Sequence, residues 1–318
     1  ARAHTHTHTH HPLTPPAPLT PMPDKRVLVL NATGKTGTGV CRALKDAGYA
    51  VHGTTRSPAG GAILTAAGVT PVIANYTNRA DLDRAFAESG ARKVFILTDY
   101  FQAARKSVAL EVEQGKAAIA AARAADVDHL VFMSVADAEC FDERTHHLHA
   151  KVALEAHLRA QGDGLPYSIV RPCAFFENLD DAANWNPLKK GVVRFLTRAE
   201  CKWTSTYDIG RAAAVHFGDP AAWLGRTTDV ISWQGDLDAV AAALATVSGV
   251  PTKAKLAMPR WVTRLLLNDL HHMLLYYEQE KGPKGTPAEF KKVVPDAMSA
   301  EDWFRSHGRY ADGEPICA

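Results

Sequence analysis

Four aliphatic residues, Val27-Leu28-Val29-Leu30, run directly into Asn31-Ala32-Thr33-Gly34-Lys35-Thr36-Gly37-Thr38-Gly39, and a helical pattern follows from about Thr36 to Ala47. Strand, glycine-bearing turn and helix N-terminus in immediate succession open a βαβ unit, and no other feature of the chain restricts the fold so far. The glycines let the backbone approach an anion, while the free N–H groups and the positive end of the helix dipole attract it, so the turn reads as a pyrophosphate site. The plainer alternative is a turn that only lets helix and strand pack tightly. Gly34-Lys35-Thr36 imitates part of a P-loop, but Val29 stands where that motif needs its first glycine, which excludes a triphosphatase of that kind.

The alternation continues. Apolar runs at Tyr49 to Thr55, Val69 to Ala74, Val94 to Thr98, His129 to Ser134 and Tyr167 to Val170 are separated by helical patterns at Arg79 to Ser89, Val108 to Ala125 and Lys151 to about Gln161. Each run is too continuously apolar to face water on either side, as in a parallel sheet covered by helices on both faces. The expected fold is α/β: a doubly wound parallel Rossmann sheet over residues 24–178, with a smaller C-terminal α/β lobe over 179–318 that closes over the C-terminal edge of the sheet. In that lobe, Asp229 to Trp233 reads as a strand, an Ala-rich helix reaches Val247, and Trp261 to Tyr277 reads as one amphipathic helix, with two shorter helices after Gly282-Pro283. Trp261, His272, Tyr276 and Tyr277 are candidates for a substrate mouth or for core.

Lys plus Arg (36) nearly balances Asp plus Glu (34) without a run of like charge, so there is no electrostatic footprint for nucleic acid or an anionic membrane. No apolar stretch reaches the roughly 20 residues that cross a bilayer. The 5 cysteines (Cys41, Cys140, Cys173, Cys201, Cys317) form no C-x-x-C pair, which argues against a disulfide framework or structural zinc and for a reducing, cytoplasmic compartment. Residues 1–23, with alternating His and Thr from His4 to His10 and then a Pro-rich stretch, have no core-forming pattern. They read as a disordered tail, either an added tag or translated upstream sequence, with Met22 as the natural start.

About 20 residues past the turn, a fold that prefers NAD places an acid for the ribose 2′-hydroxyl. Here that place reads Thr54-Thr55-Arg56-Ser57. A guanidinium with no carboxylate beside it suits the 2′-phosphate of NADP, unless Arg56 is merely a solvated surface residue.

With later segments, these residues resemble the NmrA-like family of atypical short-chain dehydrogenase relatives. The family's Gly-x-x-Gly-x-x-Gly is matched by Asn31, Gly34 and Gly37, with Asn31 departing from it. Further matches are Glu113-Gln114-Gly115-Lys116, Val127-Asp128-His129-Leu130-Val131-Phe132-Met133-Ser134, His147 with Lys151 and Glu155, Arg171-Pro172-Cys173-Ala174-Phe175-Phe176-Glu177-Asn178, and Asp208-Ile209-Gly210. The resemblance implies NADP(H) as cofactor. It places Asn31, Thr33, Gly34, Lys35, Thr36 and Gly37 at the pyrophosphate, Arg56 at the 2′-phosphate, and Asn75 and Tyr76 at the adenine. Thr98, Ser134, Lys151, Pro172, Cys173, Ala174 and Phe175 fall at the nicotinamide half. It also implies one of two activities: reduction of a small quinone-like or enone-like acceptor, or redox sensing without catalysis, in which the liganded protein binds a regulatory protein partner.

Ordinary short-chain dehydrogenases set a tyrosine one helical turn before a lysine, and the lysine eases proton transfer from the phenol. Here the pair is His147 and Lys151. An imidazole can give a proton only from its charged form, which a neighbouring lysine disfavours, so ketone reduction is a poor expectation and quinone reduction a better one. Ser134 is the third catalytic candidate. His146, His147 and His149 contain no i, i+4 pair, and no metal site is expected among them. Cys173 reads as either redox-sensitive or simply packed.

Overall fold

The computed structural model describes residues 24–306, apart from 182–185, 187, 190, 280 and 281; the expectation for residues 1–23 lies outside the described residues. In chain order the first part runs β1 (Arg26–Val29), α1 (Lys35–Asp46), β2 (Ala50–Thr55), α2 (Pro58–Ala66), β3 (Thr70–Ile73), α3 (Arg79–Ser89), β4 (Lys93–Ile96), α4 (Val108–Ala124), β5 (His129–Met133), α5 (His146–Arg159) and β6 (Tyr167–Pro172). There follow β7 (Ala174–Phe175), β8 (Val192–Phe195), β9 (Cys201–Thr204), α6 (Thr206–Gly218), α7 (Pro220–Trp223), β10 (Thr227–Val230), β11 (Trp233–Gly235), α8 (Leu237–Ser248), β12 (Lys253–Leu256), α9 (Arg260–Leu266), α10 (Asn268–Gln279), α11 (Pro287–Phe290) and α12 (Ala300–Ser306).

Seven strands form one parallel sheet in the order β3-β2-β1-β4-β5-β6-β10. The doubly wound expectation holds, and the alternation of side chains along β1 shows why. Val27 and Val29 pack with Val40 and Leu44 of α1 and Ile209 and Phe217 of α6; Leu28 and Leu30 pack on the opposite face with Leu82, Ile119 and Leu154 of α3, α4 and α5. All four residues of this run are fully buried. Each such side chain contributes about 1.5–3 kcal/mol relative to exposure, which fixes the register, because a slip of one residue would exchange the two faces.

Two smaller sheets, β11-β9-β7 and β12-β8, carry a second core with α8 and α12. In it Phe176 lies between Trp203 and Trp303, with ring centroids 5.7 and 5.8 Å away. The chain after residue 178 does not sit wholly in this layer: α6 covers one face of the large sheet and β10 becomes its edge strand.

Two sequence expectations need correction, and one helix lies where none was expected. Asp229 to Trp233 is not one strand. The chain leaves the large sheet at Val230 and enters the small one at Trp233, with Ser232 Oγ bonded to the buried carboxylate of Asp208 at the crossing. Trp261 to Tyr277 is two helices, α9 and α10, separated at Leu267. Helix α2 escaped notice because Gly60 and Gly61 depress helix propensity, yet Ser57 Oγ accepts the N–H of Gly60 at 3.2 Å and Pro58 opens the first turn.

Candidate functional site

The strand order reverses between β1 and β4, so a crevice opens beyond their C-terminal ends. The turn after β1 forms its floor. Asn31, at the first glycine position of the pattern, adopts a left-handed backbone with φ of +53°, a conformation that asparagine tolerates better than most residues. Its N–H donates to Thr54 Oγ1 at 2.9 Å and its carbonyl accepts the N–H of Gly34 at 3.2 Å. A Cβ on Gly37 would collide with that carbonyl oxygen and stand 2.8 Å from Ala32 Cα, so glycine is required where α1 meets the strand. No side chain caps α1 and its first turn holds no acid. Its N–H groups and dipole are therefore presented to an anion.

Lys35 does not lie over that turn. Its Nζ pairs with Asp181 Oδ2 at 2.7 Å and Asn178 Oδ1 at 3.1 Å, tying the start of α1 to the segment after β7. Thr36, in the first turn of α1, is buried.

A cavity of about 290 Å³ opens at the end of β2, lined by Thr33, Thr54, Thr55, Arg56, Ser57, Tyr76 and their neighbours, with no carboxylate among the lining residues. The Tyr76 hydroxyl is buried and has no hydrogen-bond partner, and burial, aided by the charge of Asp99, pushes its phenol well up. Guanidinium, hydroxyls and an orphaned phenol fit a phosphorylated adenosine. Asn75 is differently employed: its Oδ1 accepts from Thr77 N–H at 3.2 Å and Thr77 Oγ1 at 2.9 Å, so it holds the turn while Ala74 and Tyr76 line the cavity.

On the other side of the crevice Lys151 reaches from α5 to the end of β4. Its Nζ donates to Thr98 Oγ1, to the Thr98 carbonyl at 3.3 Å and to Glu111 Oε1 at 2.6 Å, and Thr98 Oγ1 donates to the same carboxylate oxygen at 2.6 Å. An ammonium has three donors, and all three are used. Contact with a ribose would require one of them to be given up.

His147, one turn earlier, places Nδ1 2.6 Å from Asp269 Oδ2 of α10. The ring lies beside Tyr100 and Phe101, with centroids 6.2 and 5.6 Å away.

Ser134 is buried just beyond β5, against Glu155. Burial works to raise the carboxyl of Glu155, but hydrogen bonds from Arg171 hold it below its usual range. The Arg171–Glu155 pair, 2.7 Å apart, braces α5 on β6.

Pro172 ends β6, and Ala174 and Phe175 form β7 in the small sheet. Cys173 is buried and bonds to the Val230 carbonyl at 3.6 Å; burial pushes its thiol well up, which removes the thiolate that redox sensing there would need. Asp208 is fully buried, accepting from Ser232 and from the Met298 N–H, while Gly210 allows α6 to sit on Val40 and Ala43 of α1. These matches to the family pattern are packing devices. Among the aromatic candidates Tyr277 is core, Tyr276 donates to Asp137 Oδ2 at 2.6 Å, and Trp261 stands 70% exposed.

Sequence reasoning missed Glu111 and Asp269. Glu111 carries a detectable signal, since it shares the buried face of α4 with Gly115, Ala118, Ile119 and Ala122, and a carboxylate on an apolar stripe demands a partner. The signal for Asp269 was Asn268-Asp269, a helix-start pair inside what looks like one continuous helix.

Fold and crevice together define a Rossmann-type α/β protein. The NmrA-like family model matches residues 23–303, and the chain belongs to that family. Among solved structures, it is similar to NmrA, a negative transcriptional regulator in complex with NAD, at 18% identity over 93% of this chain and 99% of that one, with a TM-score of 0.71. It is similar to the triphenylmethane reductase of Citrobacter sp. complexed with NADP(H), at 19% identity over 87% and 98%, with a TM-score of 0.67. The third is an NADPH-dependent quinone oxidoreductase of Escherichia coli complexed with NADPH, at 21% identity over 87% and 97%, with a TM-score of 0.65. At these identities the likeness establishes the fold. Comparison with curated protein sequences found no match. No helix among the described residues is long and apolar enough to cross a membrane.

Proposed function

We propose that the protein binds NADP(H) across the crevice between β1 and β4 and uses it to reduce a small quinone-like or enone-like acceptor, in the cytoplasm. The observation that carries this reading is the cavity at the end of β2, where Arg56 and the hydroxyls of Thr33, Thr54, Thr55 and Ser57 stand without a carboxylate. Such a wall suits a 2′-phosphate better than a free 2′-hydroxyl.

In this reading the backbone from Gly34 to Gly37 takes the pyrophosphate, Arg56 the 2′-phosphate and Tyr76 the adenine side, with Asn31 and Asn75 shaping their turns. Thr98, Ser134, Lys151 and residues 172–175 border the nicotinamide half. A bound reduced nicotinamide supplies hydride. The chain's part is to orient the acceptor over it, to keep water away with Tyr100 and Phe101, and to deliver a proton.

The likeness to a quinone oxidoreductase and to a second reductase supports the enzymatic reading. The sensor reading draws on the apolar side chains of α9, where Trp261, Leu265 and Leu266 are 70%, 73% and 71% exposed, a surface that suits a protein partner. NADPH consumption with a panel of quinones separates the two: steady oxidation supports the reductase, whereas tight binding without turnover supports the sensor.

A further inference from the structure

We propose that Asp269 is the positioning residue that makes His147 the proton donor of the reductive step. The inference rests on the reductase reading and adds to it a residue from the C-terminal part of the chain. His147 and Asp269 come from α5 and α10, 122 residues apart, and meet at 2.6 Å with side chains only 12% and 18% exposed. Asp269 Oδ1 is buried and has no hydrogen-bond partner, so the carboxylate is aimed at the ring alone. It stands in the first turn of α10, where the helix N-terminus favours its negative charge.

Two consequences follow from this geometry. With Nδ1 committed to Asp269, Nε2 is the ring nitrogen left to serve an acceptor. The positive ring also gains a carboxylate partner, whereas Lys151, one turn away on the same helix, is already paired with Glu111 of α4. Tyr100, whose ring centroid lies 6.2 Å from that of His147, has its phenol pushed up by burial and then by the charges of Asp269 and Glu111, so it stays protonated and uncharged beside the ring.

The step balances. The acceptor gains a hydride from the reduced nicotinamide, a C–H bond forms, and the displaced π pair collects on the carbonyl oxygen. That oxygen takes the proton of Nε2–H. NADPH is oxidised to NADP⁺, the acceptor is reduced by two electrons, and the ring is left neutral with its Nδ1–H on Asp269 until water reprotonates Nε2.

The test uses the full chain, NADPH and menadione. His147→Gln should lower kcat about a hundredfold, the usual worth of a general acid, with NADPH affinity unchanged within about twofold. Asp269→Asn keeps the shape but not the charge; its kcat should fall tenfold or more on the same scale. Asp269→Glu should restore part of the rate. Independently of turnover, nitrogen NMR of the neutral His147 ring should show the proton on Nδ1 in the parent and a shift toward Nε2 in Asp269→Ala. Turnover that ignores both substitutions, or a parent ring protonated on Nε2, overturns this role alone. Absence of turnover while NADPH binds overturns the reductase reading and this role with it.

Discussion

Lys151 Nζ lies 2.6 Å from Glu111 Oε1, and Glu111 is fully buried between α4 and α5. Charges removed from water in this way hold each other in place, and deleting one strands the other. Glu111→Ala and Lys151→Ala should each destabilise the fold by about 3–5 kcal/mol, whereas replacing both with apolar residues of similar volume should recover much of the loss. Urea unfolding of the three variants checks this, and strictly additive losses would contradict it.

Gly37→Ala drives a methyl group into the Asn31 carbonyl and the Ala32 backbone, neither of which can move without displacing β1. A loss of about 1–3 kcal/mol is expected, and NADPH binding should weaken with it. Thermal unfolding and a binding titration read both effects.

Asn31 supplies the left-handed turn that a glycine would give freely. Asn31→Gly should therefore leave stability within about 0.5 kcal/mol of the parent, because relief of strain and added chain entropy oppose each other, while Asn31→Ala should cost about 1 kcal/mol. Chemical unfolding at pH 7 distinguishes them.

His129, Ser168, His216 and Thr228 form a buried hydrogen-bonded row across β5, β6, α6 and β10, with contacts of 2.8, 2.8 and 3.0 Å. Burial, with help from Lys93, pushes His129 down to about 4, and burial, with help from His129, pushes His216 down to about 3. An unfolded histidine titrates near 6.5, so below that pH the unfolded chain binds protons that the folded one refuses. Stability should be full above about pH 6.5 and fall as the pH drops toward 4. His216→Gln should flatten that slope by about 2 kcal/mol between pH 7 and 4.5. Urea midpoints at the two pH values test it; parallel curves would contradict the assignment.

The sheet was legible because its strands are short, apolar and punctuated by Gly, Pro and cap residues, and because Val27 to Leu30 declare burial on both faces. The second layer was not. β7 is two residues long and β12, although Lys-Ala-Lys-Leu alternates, is only 4 residues long, so neither stands out from a loop, and the divide between β10 and β11 is made by the distant Asp208. In the site, the turn and Arg56 are local features of the sequence, and Asn31, Thr33 and Arg56 line one cavity. The pairings that govern charge there, Lys151 with Glu111 and His147 with Asp269, join residues 40 and 122 apart and depend on how α5 docks on α4 and α10. A pattern within one helix could show only the lysine and the histidine, and from those alone the repulsion between them looked decisive.

Calorimetric titration of the unmutated protein with NADPH and with NADH tests most directly whether the cavity at the end of β2 selects NADP(H) through Arg56. NADPH should bind more tightly, and Arg56→Ala should remove about 1.5–3 kcal/mol of its binding while leaving NADH nearly unchanged. Equal affinity of the parent for the two dinucleotides would contradict the account.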